Sequence, residues 1–359
     1  MPDDDVTSPV PDVLGDGWTA RTLTLRPDAQ GPAVATLVHR EPDETDMVDG
    51  QPGAPSGDAS GDASGDASSG RPGGGTGRAP RRRRAILYVH GFVDYFFQTH
   101  VGDAFAAHGD DFYALDLRGY GRSLRAWQEP NFVTDLAVYA EELDAAARIL
   151  RADHDELVVV GHSMGGLVTS LWADARRGRG IVDALVLNSP WLDLRGTWLE
   201  RGPVTRVVDL VGPVVPRLPV GGLGKHYAPA LHATTGGEWD FNPAWKPLAG
   251  VPVRAGWLRA VRRGHARVAR GLAIDCPVLV LASDTSGPDD RWHAGLVTTD
   301  SVLDVDQIAA RAPLLGPDVT LVRVPGGAHD LALSPQVARD RYVTEVLGWL
   351  DARLPDASS

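Results

Sequence analysis

At 359 residues the chain is long enough for one large α/β domain with an insertion, or for two ordinary domains; its 43% hydrophobic and 23% charged residues are close to a soluble globular average. The formal net charge of −12 argues against a nucleic-acid binder, because phosphate backbones select basic surfaces. A single cysteine, Cys276, excludes an internal disulfide and a multi-cysteine zinc site, and no apolar run approaches the roughly 20 residues that cross a bilayer, so stable membrane insertion is not expected.

The N-terminus, MPDDDVTSPVPDVLGDGW, has acids where an export signal carries Lys or Arg, and it lacks an apolar core. Residues 1–17 are therefore expected to be disordered and the protein cytoplasmic. Two alternating segments, WTARTLTL (18–25) and AVATLVH (33–39), flank the turn-like RPDAQGP and predict a β-hairpin within 18–40. Residues 41–80 contain a tandem Gly-Asp-Ala-Ser tract with almost nothing to bury, expected to be a disordered loop between two strands of one domain. The basic run Arg81–Arg84 reads as the solvated flank of the strand that follows.

From residue 85 short apolar runs alternate with longer amphipathic ones, the pattern of a parallel sheet covered by helices on both faces. Strands are predicted at 85–89, 112–115, 157–160, 184–187, 278–281 and 319–324. Helical periodicity falls between and after them, in FFQTHVGDAFAAH, FVTDLAVYAEELDAAARILRA, MGGLVTSLWADARR and SPQVARDRYVTEVLGWLDARL. About 90 residues between the fourth and fifth strands hold no strand candidate, yet contain Trp191, Trp198, Trp239, Trp245 and Trp257, half of the ten tryptophans. VTRVVDLVG and GWLRAVRRGHARVAR in that interval show helical spacing. The interval predicts a cap, residues 191–273, folded over the carboxyl ends of the strands, where α/β folds place their ligands. Residues 81–190 and 274–355 are then the core.

The stretch LVVVGHSMGG (157–166) ends a buried-strand pattern in a serine between glycines. A serine hydroxyl needs a base and an open approach to act as a nucleophile. If the strand turns directly into a helix starting at Met164, Ser163 stands at the apex of a strained turn, with Gly161 and Gly165 removing side chains that would collide. The helix terminus offers backbone N–H groups to an oxyanion. The base is expected to be His329, in VPGGAHDLALS after the last strand; the adjacent His162 should point away. Two acids compete to orient His329. Asp284 directly follows a strand, and Asp300 lies in TTDSVLDVDQIAARA. The 29 residues from Asp300 to His329 accommodate a helix, a turn, a strand and a loop without surplus, whereas Asp284 leaves TSGPDDRWHAGLVT unexplained. Asp300 is favoured and Asp284 stays open as the alternative.

The order HGF (90–92), DLRGYGRS (116–123), GHSMGG (161–166), an acid and a terminal AHD resembles the α/β-hydrolase fold. Within it the chain is similar to the branch of monoacylglycerol lipases, bacterial lysophospholipases and serine aminopeptidase S33 proteins. The resemblance implies a mostly parallel sheet flanked by helices, with an inserted helical cap. It implies an oxyanion hole at the N–H groups of Phe92 and Met164, and it makes Asp116, Arg118 and Ser123 architectural. Tyr95, Phe96 and Phe97 are left between lining the site and packing helices. The expected activity is a serine hydrolase without cofactor or metal, acting through an acyl-enzyme on a small carboxylic ester, in particular a monoacylglycerol or lysophospholipid. An S33-type aminopeptidase, a cofactor-free haloperoxidase and an inactive binding protein on the same fold are the alternatives.

Overall fold

The computed structural model describes residues 6–41, 83–195, 208–222 and 225–355. The tract expected as a disordered loop lies outside these residues, as does Trp198. The strands are β1 (Val10–Pro11), β2 (Trp18–Asp28), β3 (Gly31–Arg40), β4 (Arg84–Val89), β5 (Asp111–Asp116), β6 (Glu156–His162), β7 (Ala184–Asn188), β8 (Pro219–Gly222), β9 (Pro252–Arg254), β10 (Val278–Ser283) and β11 (Val319–Val324). The α-helices are α1 (Thr99–His108), α2 (Ala140–Asp153), α3 (Met164–Arg176), α4 (Tyr227–Leu231), α5 (Ala255–Ala269), α6 (Val305–Arg311) and α7 (Gln336–Arg353).

One sheet runs in the order β1-β2-β3-β5-β4-β6-β7-β10-β11. The β1–β2, β2–β3 and β3–β5 pairs are antiparallel, and all pairs from β5 to β11 are parallel. The parallel strands are buried on both faces, which is why they read as unbroken apolar runs rather than alternating ones. Successive residues nonetheless serve opposite layers. Leu157, Val159, Leu185, Leu187, Val278 and Val280 pack with residues of α2, α3 and α5. Val158, Val160, Val186, Leu279 and Leu281 pack with Val101 and Phe105 of α1 and with an i+4 stripe of α7, Ala338, Tyr342, Val346 and Leu350. Cys276 is a buried apolar contact of the first layer, its thiol pushed up to about 12 by burial.

Two expectations differ from the structure. Residues 6–17, expected to be disordered, are held in place: Val10 and Pro11 pair with Ala20 and Thr19, and the Asp12 carboxylate accepts from Arg122 Nε and Nη2 at 2.6 and 2.7 Å. A two-residue edge strand has no periodicity to read, and the ion pair spans 110 residues. The second difference lies between β7 and β10, where no strand was expected. There β8 and β9 form a two-stranded antiparallel ribbon with a register shift between Pro219 and Gly221, built from PVGG and PVR, which lack strand propensity. Tertiary pairing decides it.

Candidate active site

Strand β6 delivers His162 and Ser163 to the carboxyl edge of the sheet, and α3 begins one residue later. Ser163 has φ 53° and ψ −116°, a left-handed conformation that a side chain makes costly. Neighbouring backbone compensates. Ser163 N donates to Asn188 O at 3.0 Å, and Ser163 O accepts from Trp191 N at 2.9 Å. A Cβ on Gly161 would lie 2.4 Å from Thr169 Oγ1, and one on Gly165 2.4 Å from the carbonyl oxygens of Val89 and His90. The two glycines thus let α3 close onto β6 and β4.

The structure brings Ser163, His329 and Asp300 together. Ser163 Oγ lies 3.0 Å from His329 Nε2, and His329 Nδ1 lies 3.0 Å from Asp300 Oδ2. A carboxylate only accepts, so Nδ1 carries the hydrogen and Nε2 is free to accept from the serine hydroxyl. Asp300 Oδ1 accepts from the N–H groups of Val302 and Leu303 at 2.9 and 2.7 Å. Complete burial raises the Asp300 pKa, but the charge and hydrogen bond of His329 and these two N–H groups outweigh it, leaving the carboxyl below its ordinary range. Asp284 is exposed and its Oδ1 accepts from Gly326 N at 3.2 Å; it makes no contact with His329. Chain folds out after Thr285 and returns at Asp300, where Asp300 N donates to Thr285 O and Gly287 N donates to Asp300 O, both at 2.9 Å. This excursion accounts for the late position of the acid.

The loop after β4 passes over the serine. His90 is buried; its Nε2 accepts from Leu117 N at 3.1 Å, so its Nδ1–H donates to Gly91 O at 2.8 Å. Burial lowers the His90 pKa, keeping the ring in that neutral form. Gly91 approaches so closely that its Cβ would lie 3.2 Å from Ser163 Cβ. Val93, a β-branched residue at φ 54°, adds a second strained position beside the serine. Phe92 and Val93 join Trp191, Leu194, Val302 and Leu303 as apolar lining of a cavity of about 260 Å³ that opens over Ser163 and His329. Met164 is the first residue of α3, where helix N–H groups have no partner within the helix.

Tyr95, Phe96 and Phe97 do not line this cavity. Phe96 packs between Trp18 and Tyr88, while Tyr95 and Phe97 meet Trp245 and Phe241 of the inserted segment. Asp116 accepts from Phe96 N and Arg122 N, Arg118 is bidentate on Glu142, and Ser123 Oγ donates to Asp116 O, so all three brace the β5 loop. Of the inserted tryptophans, Trp191 lines the cavity and Trp257 stacks on Phe92 with ring centres 3.8 Å apart.

Sequence reasoning missed the charged end of the cavity. Asp94 and Lys246 both line it, buried, with Nζ 2.6 Å from Oδ1. Behind them, Asp330 accepts from Asn188 Nδ2 at 2.7 Å and Gln98 Nε2 at 2.9 Å, and His162 Nε2 is 4.0 Å away. Asp94, His162 and Asp330 lie close enough to hold a cation, and the Lys246 ammonium supplies that positive charge. His162 itself is buried with its pKa lowered by desolvation, and its ring tilts against His329, 5.0 Å centre to centre. Residues 152 positions apart carry no spacing signal; only an aspartate three residues after Gly91 hinted at it.

Residues 80–335 match the family described as Serine aminopeptidase, S33. The chain belongs to this family. The S33 chain is 27% identical over 277 residues to a monoacylglycerol lipase of Mycolicibacterium smegmatis, covering 76% of this chain and 89% of that protein. Among solved structures it is similar to a soluble variant of monoglyceride lipase from Saccharomyces cerevisiae in complex with a substrate analog, at a TM-score of 0.61 and 15% identity over 92% of this chain and 96% of the other. A thermostable carboxyl esterase from Bacillus coagulans in complex with glycerol aligns at a TM-score of 0.57 and 15% identity, over 93% and 98%. At such identities the likeness is one of fold, and the fold is that of the α/β hydrolases.

Proposed function

We propose that this protein is a serine ester hydrolase in which Ser163 is the nucleophile, His329 the general base and acid, and Asp300 the group that orients His329. The reading is carried by one observation, the chain of 3.0 Å hydrogen bonds from Ser163 through His329 to Asp300 at the floor of an apolar cavity. Oγ attacks the acyl carbon while its proton passes to Nε2, and the oxyanion is taken by the N–H groups of Phe92 and Met164. The imidazolium then protonates the leaving alcohol. Water, deprotonated by the same nitrogen, releases the acid from the acyl-enzyme.

The apolar wall suits an acyl chain and the Asp94–Lys246 end a hydroxylated alcohol, which, with the M. smegmatis relative, favours a monoacylglycerol. Among the described acids of the inserted segment, Asp193 pairs with Arg311, Asp209 with Arg259 and Glu238 with Arg339, and Asp240 lies 3.8 Å from His232, so these four do not form a cluster for a peptide amine. The test is fluorophosphonate labelling of wild type and Ser163→Ala, followed by turnover of monoacylglycerols, lysophospholipids and aminoacyl anilides. Labelling lost in the variant together with preferred monoacylglycerol turnover supports the reading. An unlabelled wild type, or preferred release of the anilide, overturns it.

A further inference from the structure

Apart from the cavity over Ser163, a larger groove of about 450 Å³ lies between α3, α5 and the 3₁₀ turn Leu136–Tyr139 before α2, and the two share no lining residue. Small-molecule sites run from about 300 to 1,000 Å³, so the groove has the volume of one. Its walls are stripes at helical spacing, Val168, Leu171, Trp172 and Arg176 on α3, and Ala260, Gly264 and Arg267 on α5. Gly264 lets the helices close at the base, since a Cβ there would lie 3.1 Å from Leu171 Cδ1 and 3.3 Å from Leu136 Cδ1. Val168 and Trp172 are buried, whereas Arg263, Arg267 and Arg270 are exposed, which gives an apolar floor and a basic rim. Two of the arginines are held by neighbours: Arg176 donates Nε–H to Asp144 at 2.8 Å, and Arg267 pairs with Asp174. Arg263 and Arg270 have no acidic partner among the described residues. Four guanidinium groups, Arg176, Arg263, Arg267 and Arg270, against Asp135, Asp144 and Asp174 leave the groove one positive charge.

We propose that this groove is a second binding site, for an aliphatic monocarboxylate, with the chain on the floor and the carboxylate at the rim where Arg263 and Arg270 stand unpaired. A guanidinium meets a carboxylate through charge-assisted, bidentate bonds. One surplus charge matches a monoanion, and inorganic phosphate has no use for the apolar floor. The walls of the groove also lead to the catalytic cavity. Helix α3 begins at Met164; α5 carries Trp257, stacked 3.8 Å from the ring of Phe92, and His265, which donates to Trp191 O at 2.9 Å. The two walls thus hold the two residues whose N–H groups take the oxyanion, a coupling that rests on the function proposed above. A ligand bridging both walls shifts one against the other, and a misplacement of about 1 Å costs up to about 100-fold in rate. Hydrolysis of an acyl ester releases an acid of this same class, so the product lowers kcat from a site outside the cavity in which it forms.

The experiment is equilibrium dialysis of the full chain against radiolabelled laurate below its micellar range, with lauryl alcohol and inorganic phosphate as comparison probes, for wild type, R263Q/R270Q and A175W. Ala175 lines the groove at an exposed position, so tryptophan there fills the floor. Laurate is expected to bind wild type more tightly than either comparison probe. One class of laurate site is expected to weaken at least about tenfold in R263Q/R270Q, and likewise in A175W, while any binding over Ser163 stays as it is. Equal Tm in the three chains shows that they fold. Dialysis needs no turnover, so it reads out even for a chain that hydrolyses nothing. In turnover assays laurate also competes at Ser163, which raises KM; the groove adds a drop in kcat, expected in wild type and absent from both variants. Unchanged laurate binding in either variant leaves the cavity over Ser163 as its only site and overturns the proposal. So does tighter binding of phosphate or equal binding of the alcohol, and purely competitive inhibition of wild type overturns the coupling to the oxyanion groups.

Discussion

Asp284 and Asp300 both follow β10, yet Asp284 is exposed and accepts from Gly326 N, whereas Asp300, at the end of the excursion, is buried against His329. Replacing Asp300 by Asn keeps the volume but lets the amide donate to Nδ1, which favours the wrong tautomer of His329. Steady-state hydrolysis by Asp300→Asn is expected to fall about 10⁴-fold, and Asp284→Asn to match wild type; the reverse order would reassign the acid. Ser163 and His329 were legible in the sequence because a nucleophile needs a turn without side chains, and because the strand order carries its base to the same edge. Residue counting and the family resemblance favoured Asp300 while leaving Asp284 open, and it is Asp300 that lies 3.0 Å from His329 Nδ1. Asp94 and Lys246 were not, since an ion pair between two loops leaves no pattern in either.

At the scale of elements, that ion pair joins the loop after β4 to the inserted segment. Lys246 also lies over the rings of Phe97 and Phe241, 5.0 and 5.4 Å from their centres, so its charge is lodged in an apolar seam. Removing one partner strands the other in low dielectric, whereas removing both does not. Lys246→Met is expected to cost about 3 kcal/mol in chemical denaturation, and the double variant Asp94→Leu/Lys246→Met to recover most of it. Equal losses in both would mean that packing, not charge, holds the seam. The main strands and helices were readable because burial on two faces, or on one stripe, is written as periodicity. Ribbon β8–β9 pairs segments far apart in the chain, and β1 is only two residues long and anchored through Asp12 to the distant Arg122, so local pattern could not disclose them.

For the molecule as a whole, buried histidines lead to the expectation that stability falls in acid. His265 on α5 donates Nε2–H to Trp191 O at 2.9 Å, its Nδ1 is buried without a partner, and burial brings its pKa down to about 3. His39 is likewise lowered to about 4, mainly by burial. In the unfolded chain both titrate near 6.5, so between these values the unfolded state binds more protons. Stability is therefore full above that pH and falls as the solution is acidified, by up to about 1.4 kcal/mol per pH unit for each group. The depressed Asp300 adds a loss of the same sign only below 3.8. Thermal melts between pH 7 and 4.5 are expected to show a steep decline that flattens in His265→Gln, which keeps a donor for Trp191 O without the titration. A parallel decline would exclude His265 as the origin.

The excursion between Thr285 and Asp300 is closed at its stem by two backbone hydrogen bonds before the acid is reached. The stem fixes where Asp300 re-enters the sheet edge, while His293 and Thr299 of the excursion also contact Ser301 at 3.2 Å beside the acid. The excursion reaches the mouth of the cavity through Asp289, and Gly287 O holds Arg195 beside it. Under the proposed function, the groups that would react and the residues at the cavity mouth thus sit on different pieces of chain, and selectivity could drift while the triad geometry stays fixed.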